Sequence, residues 1–147
     1  MNQRDLKTIL LVEDSMADAE MAVDALREAK LLNPIVHVED GVDCMDYLHR
    51  RGRFADRDDS DPAVVLLDIK MPRMDGLEVL KQMRGDANLR RIPVVILSSS
   101  REESDLARSW DLGVNAYVLK PVDVQQFFSA VQMLGHFWAV LNQRPEE

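Results

Sequence analysis

The chain has 147 residues, 46% of them hydrophobic, and this length and composition favour one folded domain over a disordered segment. Its formal net charge of −8 disfavours nonspecific binding to nucleic acid and to anionic membranes. No apolar run is long enough to cross a bilayer, and the N-terminal residues lack a signal-peptide pattern. The single cysteine, Cys44, cannot form an internal disulfide, so we expect a reducing cytoplasm and a buried, apolar role for Cys44.

Short apolar runs alternate with amphipathic segments along the chain. The apolar runs are rich in valine, isoleucine and leucine, which is typical of buried β-strands. They cover Thr8–Val12, Ile35–Val38, Ala63–Leu67, Pro93–Leu97 and Ala116–Leu119. The segments between and after them carry apolar residues at helical spacing. They predict helices over Ser15–Lys30, Gly41–Arg50, Gly76–Gly85, Ser100–Gly113 and Val122–Asn142.

This alternation predicts an α/β fold in which one doubly wound, five-stranded parallel sheet is covered by helices on both faces. The crossover connections are expected to be right-handed. One irregular stretch, Arg50–Pro62, is charged and rich in turn residues. We interpret it as a solvated surface loop before the third strand, not as a binding site.

Acidic residues directly follow two of the predicted strands. Glu13 and Asp14 follow the first strand, and Asp68 follows the third. Ligands of parallel sheets bind beyond the carboxyl ends of the strands, so we expect these carboxylates in one crevice. Like charges at close range need a positive partner, and the candidates are Lys120 after the fifth strand and a divalent metal, for which Mg²⁺ suits carboxylate oxygens. Ser98, at the end of the fourth strand, adds a hydroxyl for an anion.

Four motifs, in this order, resemble the receiver domain of response regulators in two-component signalling. They are LLVEDS for the acidic pair, LLDIKMPRMDG for the phosphoacceptor loop, VVILSSS for the hydroxyl switch and AYVLKP for the aromatic and lysine–proline signature. Ser98 lies 30 residues after Asp68, and Lys120 lies 52 residues after it. The resemblance implies the flavodoxin-like strand order 2-1-3-4-5. It also implies a single receiver domain over residues 1–147, with a core at about 6–141, an extended last helix at 122–142 and no output domain.

The resemblance implies a role for each matching residue of the acidic site. Asp68 would be the phosphoacceptor. Asp14 and Asp68 would bind Mg²⁺ directly, together with the main-chain carbonyl of Lys70, and Glu13 would act through water. Lys120 would pair with the phosphoryl oxygens.

The resemblance also implies a switch that reports the phosphorylated state. Ser98 would hydrogen-bond the new phosphoryl group, and Tyr117 would turn inward in response, which makes the two residues the switch pair. Lys120–Pro121 is expected to be a cis peptide bond, because X-Pro bonds adopt the cis form most readily.

A narrower resemblance links the chain to the single-domain response regulators of bacterial phytochromes. It is carried by RRIPVVILSSS, SWDLGVNAYVLK and GHFWAVL. It implies a light-regulated sensor histidine kinase as partner and is consistent with a dimer. Apolar residues in excess of what the core needs, on the fourth helix, the fifth strand and the fifth helix, predict a homodimer built on these elements. The predicted interface residues are Leu106, Trp110, Val114, Tyr117, Leu119, Phe137 and Trp138.

Other functions remain open on the sequence. The chain could be a chemotaxis-type receiver, a phosphorelay or phosphate-sink receiver, or a degenerate receiver that serves only as a binding scaffold. An aspartyl-phosphate hydrolase of the haloacid-dehalogenase type also uses an aspartate at a strand end. That class usually carries a second aspartate two residues later, where this chain has Lys70. We therefore expect a phosphoacceptor signalling protein and not an enzyme, with neither nucleic acid nor membrane as a partner.

Overall fold

The computed structural model describes residues 7–99 and 103–121, together with positions 123, 125, 126 and 129. Its strands are β1 (Ile9–Val12), β2 (Ile35–Val38), β3 (Val64–Leu67), β4 (Val94–Ser98) and β5 (Ala116–Leu119). Its helices are α1 (Met16–Glu28), α2 (Gly41–His49), α3 (Gly76–Arg84) and α4 (Glu103–Asp111). These elements confirm the predicted strands and the first four predicted helices. The predicted last helix, 122–142, lies outside the described residues apart from positions 125, 126 and 129, which are helical.

All neighbouring strands pair in parallel, in the order β2-β1-β3-β4-β5, which confirms the predicted sheet. The sheet is buried on both faces. Apolar side chains of α1 pack on one face, against alternate residues of the strands. Apolar side chains of α2 and α3 pack on the other face, against the remaining strand residues. This double burial explains why β1, β3 and β4 are continuous apolar runs.

The register of the sheet brings the carboxyl ends of the strands together. Val12 of β1 pairs with Leu67 of β3, so the residues that follow these two, Glu13 and Asp68, are neighbours. The amide of Asp68 donates to the carbonyl of Val12 over 3.1 Å. Farther along the edge, the amide of Lys120 donates to the carbonyl of Ser98 over 2.9 Å. Parallel pairing therefore places side chains that are distant in sequence at one edge of the sheet.

Three of the helices begin at this edge, and each begins at a capping side chain. Ser15 accepts a hydrogen bond from the amide three residues later at the start of α1, over 3.2 Å. Asp40 and Asp75 do the same for α2 and α3, over 2.8 and 2.9 Å. Caps of this kind each stabilise a helix by about 1 kcal/mol. They also fix where each helix leaves the edge of the sheet that carries the acidic residues.

The β3–α3 loop, residues 68–75, is closed tightly at its base. The amide of Gly76 donates to the carbonyl of Ile69 over 2.8 Å. A Cβ atom at Gly76 would overlap the main-chain oxygen of Asp68, so only glycine permits this approach of α3 to the loop. In the Asp75–Gly76 pair, the aspartate caps α3 and the glycine is required by packing.

The stretch Arg50–Pro62 is more ordered than the solvated loop predicted from its composition. It contains a single 3-10 turn, Gly52–Phe54. Arg57 stacks over the ring of Tyr47, with 4.1 Å between its Cζ atom and the ring centroid, and pairs with Asp59 over 2.9 Å. Only 7% of the Arg57 side chain is exposed, and Tyr47 also donates to Asp59 over 3.1 Å. Most of the stretch is exposed, as predicted for a surface loop, and Arg57 with its partners anchors it to α2.

Two observations bear on the surroundings of the chain. Cys44 is fully buried in the core beneath α2, and burial raises the pKa of its thiol above the ordinary range, which confirms its predicted apolar role. In the part of the chain that the structure describes, none of the helices combines the length and the apolar character that a bilayer span demands.

Candidate functional site

Three acidic side chains meet at the carboxyl edge of the sheet, as the sequence predicts. Carboxylate oxygens of Glu13, Asp14 and Asp68 all lie within 4.8 Å of one another. Glu13 and Asp68 are buried, whereas Asp14 is exposed at the rim of the crevice. Two buried carboxylates at this distance repel each other and lose hydration, so the cluster needs positive charge.

Lys120 supplies positive charge from the end of β5. Its Nζ atom lies 2.5 Å from Glu13 Oε1, 2.8 Å from Asp18 Oδ2 and 3.1 Å from Asp68 Oδ2. Burial alone would lower the pKa of Lys120, but hydrogen bonds to Asp18 and Glu13 and the charge of Asp68 raise it above its usual range. The amine is therefore a permanent ammonium group that faces Asp68. The Lys120–Pro121 bond is cis, as predicted.

Glu13 is the most strongly perturbed acid of the cluster. Burial raises the pKa of its carboxyl group to about 7, although hydrogen bonds from Lys120 and from the amide of Ser15 oppose the rise. The Ser15 amide donates to Glu13 Oε2 over 3.0 Å. Glu13 therefore changes its charge near neutral pH when no cation other than Lys120 is present.

Both oxygens of the Asp68 carboxylate are held by donors. The amide of Ile69 donates to Oδ1 over 2.7 Å, and the Lys120 ammonium donates to Oδ2 over 3.1 Å. Asp68 is 6% exposed, so its orientation is set by these contacts and not by water. The two donors therefore fix the orientation of the Asp68 carboxylate in the crevice.

Two residues of the site were not identified from the sequence. Asp18 is not among the predicted site residues, yet its carboxylate contacts the ammonium group of Lys120. Asp18 lies in the first turn of α1, and that helix begins at the same edge of the sheet. His37 of β2 is likewise not among the predicted site residues. Its Nε2 atom contacts the main-chain oxygen of Glu13 at 2.6 Å, which requires a proton on Nε2.

The predicted switch residues lie at the same edge but in different environments. Ser98 ends β4 and is fully buried. Tyr117 of β5 pairs with Ile96, is half-buried and packs against the core beneath α2 and α3. Side chains alternate along β5, since Ala116 and Val118 are buried on the opposite face of the sheet.

Lys70 extends away from the acidic cluster. Its side chain is 67% exposed, and its Nζ atom lies 3.7 Å from Asp105 Oδ2 on α4. The long cation that the sequence places near Asp68 thus bridges the β3–α3 loop and α4. Because the Lys70 side chain points toward Asp105, the group of Lys70 that is left to serve as a metal ligand is its main-chain carbonyl.

The predicted dimer surface is partly supported by exposure and partly corrected. Trp110 is 46% exposed, and Leu106, Tyr117 and Leu119 are half-buried. Val114 is buried in the core beneath α2 and α3, so its inclusion in a surface stripe is wrong. The chain turns inward after Gly113, which has a positive φ of 90°, and this turn directs Val114 into the core. Phe137 and Trp138 lie outside the described residues.

The donor set fits a hard divalent cation. Mg²⁺ takes oxygen ligands, and the crevice offers the carboxylates of Glu13, Asp14 and Asp68. Glu13, Asp18 and Asp68 all contact the ammonium group of Lys120. The excess of negative charge and the oxygen chemistry together suit a magnesium site.

The fold and this cluster define the class of protein. The family model of the response regulator receiver domain matches residues 9–132, and the chain belongs to this family. Receiver domains are signalling modules that bind Mg²⁺ and are phosphorylated on aspartate.

Among solved structures, the chain is similar to the bacteriophytochrome response regulator RtBRR, with 54% identity and a TM-score of 0.85 over 95% of this chain and 84% of that one. It is 39% identical to the phosphorylated cyanobacterial phytochrome response regulator RcpA, with a TM-score of 0.77 over 96% and 99% of the two chains. Response regulator Rcp1 of Synechocystis sp. is 36% identical over 132 residues, which are 90% of this chain and 88% of Rcp1. The Mn²⁺-bound form of Rcp1 matches with a TM-score of 0.76 over 96% of this chain and 99% of that one, at 34% identity.

Proposed function

We propose that this protein accepts a phosphoryl group from a sensor histidine kinase onto Asp68. The observation that carries the proposal is the placement of Asp68, a buried strand-end carboxylate with Lys120 Nζ 3.1 Å away and two further acids within 4.8 Å. Phosphoryl transfer depends mainly on positioning and on stabilisation of charge. The Asp68 cluster provides both.

In the proposed reaction, a carboxylate oxygen of Asp68 attacks the phosphorus of a phosphohistidine. The new O–P bond forms as the N–P bond breaks, and the electron pair of that bond stays on the imidazole nitrogen. The ammonium of Lys120 neutralises charge on the phosphoryl oxygens. The amide of Ile69, which donates to Oδ1 over 2.7 Å, keeps the carboxylate oriented during the attack.

Asp14 and Asp68 would hold Mg²⁺ directly, with the main-chain carbonyl of Lys70 as a further ligand and Glu13 acting through water. When bound, Mg²⁺ supplies positive charge that lowers the repulsion between the carboxylate and the phosphoryl oxygens. Asp14 stands at the exposed rim of the cluster, where an incoming hydrated ion would first meet the protein.

We propose that Ser98 and Tyr117 convert phosphorylation into a change of surface. The Ser98 hydroxyl would donate to a phosphoryl oxygen, which moves the segment that follows β4. Tyr117, now half-buried against the core, would turn further inward into the space that this movement opens. The change is a shift between two packings of one fold.

The proposed partner is a phytochrome-type histidine kinase. Support comes from the 54% identity to the bacteriophytochrome response regulator RtBRR and from the similarity to RcpA. We also propose a homodimer whose interface includes Trp110, with Leu106, Tyr117, Leu119, Phe137 and Trp138. Exposure of 46% of a tryptophan supports a contact surface on α4.

Phosphotransfer profiling tests the partner. Each histidine kinase of the host, autophosphorylated with labelled ATP, is mixed with the protein, and transfer is followed at short times. A phytochrome-type kinase should transfer fastest, and it should do so only in the presence of Mg²⁺. Transfer that is faster from kinases of other sensory classes would contradict the phytochrome assignment.

A further inference from the structure

Arg73 has an unusual backbone conformation for its residue type. It lies in the β3–α3 loop with a positive φ of 65°, in the left-handed region. Glycine adopts this region freely, whereas a residue with a Cβ atom does so at an energetic cost. Favourable contacts of the Arg73 side chain would offset part of this cost.

The side chain of Arg73 makes a two-pronged ion pair with Asp40. Its Nε atom donates to Asp40 Oδ2 over 2.8 Å, and its Nη2 atom donates to Asp40 Oδ1 over 3.0 Å. Nη2 also donates to Asp43 Oδ1 over 3.1 Å. Burial alone would raise the pKa of Asp40, but the hydrogen bonds and charge of Arg73 lower it below its usual value. Two parallel hydrogen bonds of this kind fix the orientation of the guanidinium relative to the carboxylate as well as the distance between them.

The partner of Arg73 is itself part of the α2 framework. Asp40 is 8% exposed and caps α2 by accepting from the amide of Asp43 over 2.8 Å. The next residue, Gly41, lies so close to the loop that a Cβ atom there would overlap the main-chain oxygen of Met74. The outer half of the β3–α3 loop is thus held against the start of α2 by backbone contact and by the ion pair.

The β3–α3 loop also carries Asp68 and Lys70, which belong to the proposed site, at its N-terminal end. Asp68 begins the loop, and Lys70 follows it two residues later. The base of the loop is closed by the Gly76–Ile69 hydrogen bond, so the Arg73 contact is a second anchor on the segment between. The segment that contains Lys70 is therefore held by a backbone hydrogen bond at its base and by the Arg73 ion pair farther along.

We propose that Arg73 is a positioning residue for the metal and phosphoryl site. Its clamp on Asp40 and Asp43 holds the β3–α3 loop so that the carboxylate of Asp68 and the main-chain carbonyl of Lys70 present a preformed cation site. This inference rests on the proposed function of Asp68 and Lys70. Loss of the clamp lets the loop sample other conformations, and the cation then binds at the cost of ordering it again.

Arg73→Gly is the informative variant, because glycine removes the clamp and also relieves the positive φ. The variant should therefore fold. Arg53→Ala is the matched control, since Arg53 also contacts Asp43, at 3.5 Å, but lies outside the loop. Asp40→Asn is the partner variant, because asparagine still caps a helix but carries no charge.

The experiment measures Mn²⁺ affinity by calorimetry and amide hydrogen exchange of the β3–α3 loop for each protein. Arg73→Gly and Asp40→Asn should each bind Mn²⁺ about tenfold more weakly, as expected for groups that support a ligand indirectly. The amide of Gly76 should exchange faster in both, and the double variant should be little worse than either single one. Arg53→Ala should behave like the wild type.

The outcomes separate the inference from the function on which it rests. A wild-type protein that binds no Mn²⁺ overturns the proposed site and the inference together. Wild-type binding with unchanged affinity and exchange in Arg73→Gly overturns the inference alone. A loss of thermal stability in the Arg73 and Asp40 variants with unchanged Mn²⁺ affinity shows a purely structural clamp, which also overturns it.

Discussion

Replacement of Glu13 by glutamine should change how the stability of the metal-free protein depends on pH. Burial raises the pKa of Glu13 to about 7 in the folded state, from an ordinary value of 4.5. A raised carboxyl pKa means that the folded state prefers the protonated form. The stability associated with Glu13 is therefore fully present below pH 4.5 and is lost as pH rises through 7.

The size of the effect follows from the two pKa values. Each pKa unit corresponds to about 1.4 kcal/mol, so ionisation of Glu13 should cost the metal-free fold about 3 kcal/mol by pH 8. Glutamine keeps the shape of the side chain and never ionises. Its single oxygen can replace only one of the two carboxylate oxygens that accept from Lys120 and from the Ser15 amide, and the cost of losing the other hydrogen bond does not depend on the ionisation of residue 13. The stability difference between Glu13→Gln and the wild type should thus shift by about 3 kcal/mol in favour of the variant between pH 4 and pH 8.

Urea unfolding in the presence of EDTA at a series of pH values measures this difference. Glu20→Gln serves as the control, because it removes the same charge from an exposed position on α1. Saturating Mg²⁺ should reduce the difference, since a cation favours the ionised form. Parallel stability curves for the wild type and Glu13→Gln from pH 4 to pH 8 would refute the reasoning about Glu13.

Asp14→Asn should weaken Mg²⁺ binding about tenfold or more and should slow phosphotransfer, whereas Glu13→Gln should have a smaller effect on both. If Asp14→Asn and the wild type gave equal Mg²⁺ titrations, the assignment of Asp14 as a ligand would be contradicted. Gly76→Ala should lower the free energy of unfolding by about 1–3 kcal/mol, because the added Cβ overlaps the main chain of the β3–α3 loop; an unchanged urea midpoint would argue against that close approach. Sedimentation at micromolar concentration should show a dimer that Trp138→Ala or Phe137→Ala weakens, and a strict monomer with and without a phosphoryl analogue would exclude the proposed interface.

The sheet was predictable because double burial leaves a strong pattern. The parallel strands are apolar on both faces, so β1, β3 and β4 appear in the sequence as continuous aliphatic runs with a polar residue at the end. Parallel pairing then brings those end residues together, which is why Glu13, Asp68 and Lys120 could be assigned to one crevice before any coordinates were known.

Contacts that depend on side-chain reach were not predictable in the same way. Asp18 holds Lys120 across 102 residues of sequence, and Arg73 holds Asp40 across 33, and neither pair follows a helical or strand period. Arginine is also uncommon at positions with positive φ, so the sequence gives no sign that the backbone of residue 73 is left-handed. The anchoring of Arg57 on Tyr47 was missed for a related reason, because a charged, turn-rich stretch gives no sign that one of its cations is buried.

The most direct measurement of the central claim is the location of the phosphoryl group. The protein is incubated with acetyl phosphate and Mg²⁺, reduced with borohydride to mark any acyl phosphate, and mapped by peptide mass spectrometry beside Asp68→Asn. We expect acid-labile phosphorylation at Asp68 in the wild type and none in Asp68→Asn, whose fold should remain intact. A label of equal intensity on the Asp68→Asn variant, or a marked residue other than Asp68 in the wild type, would contradict it.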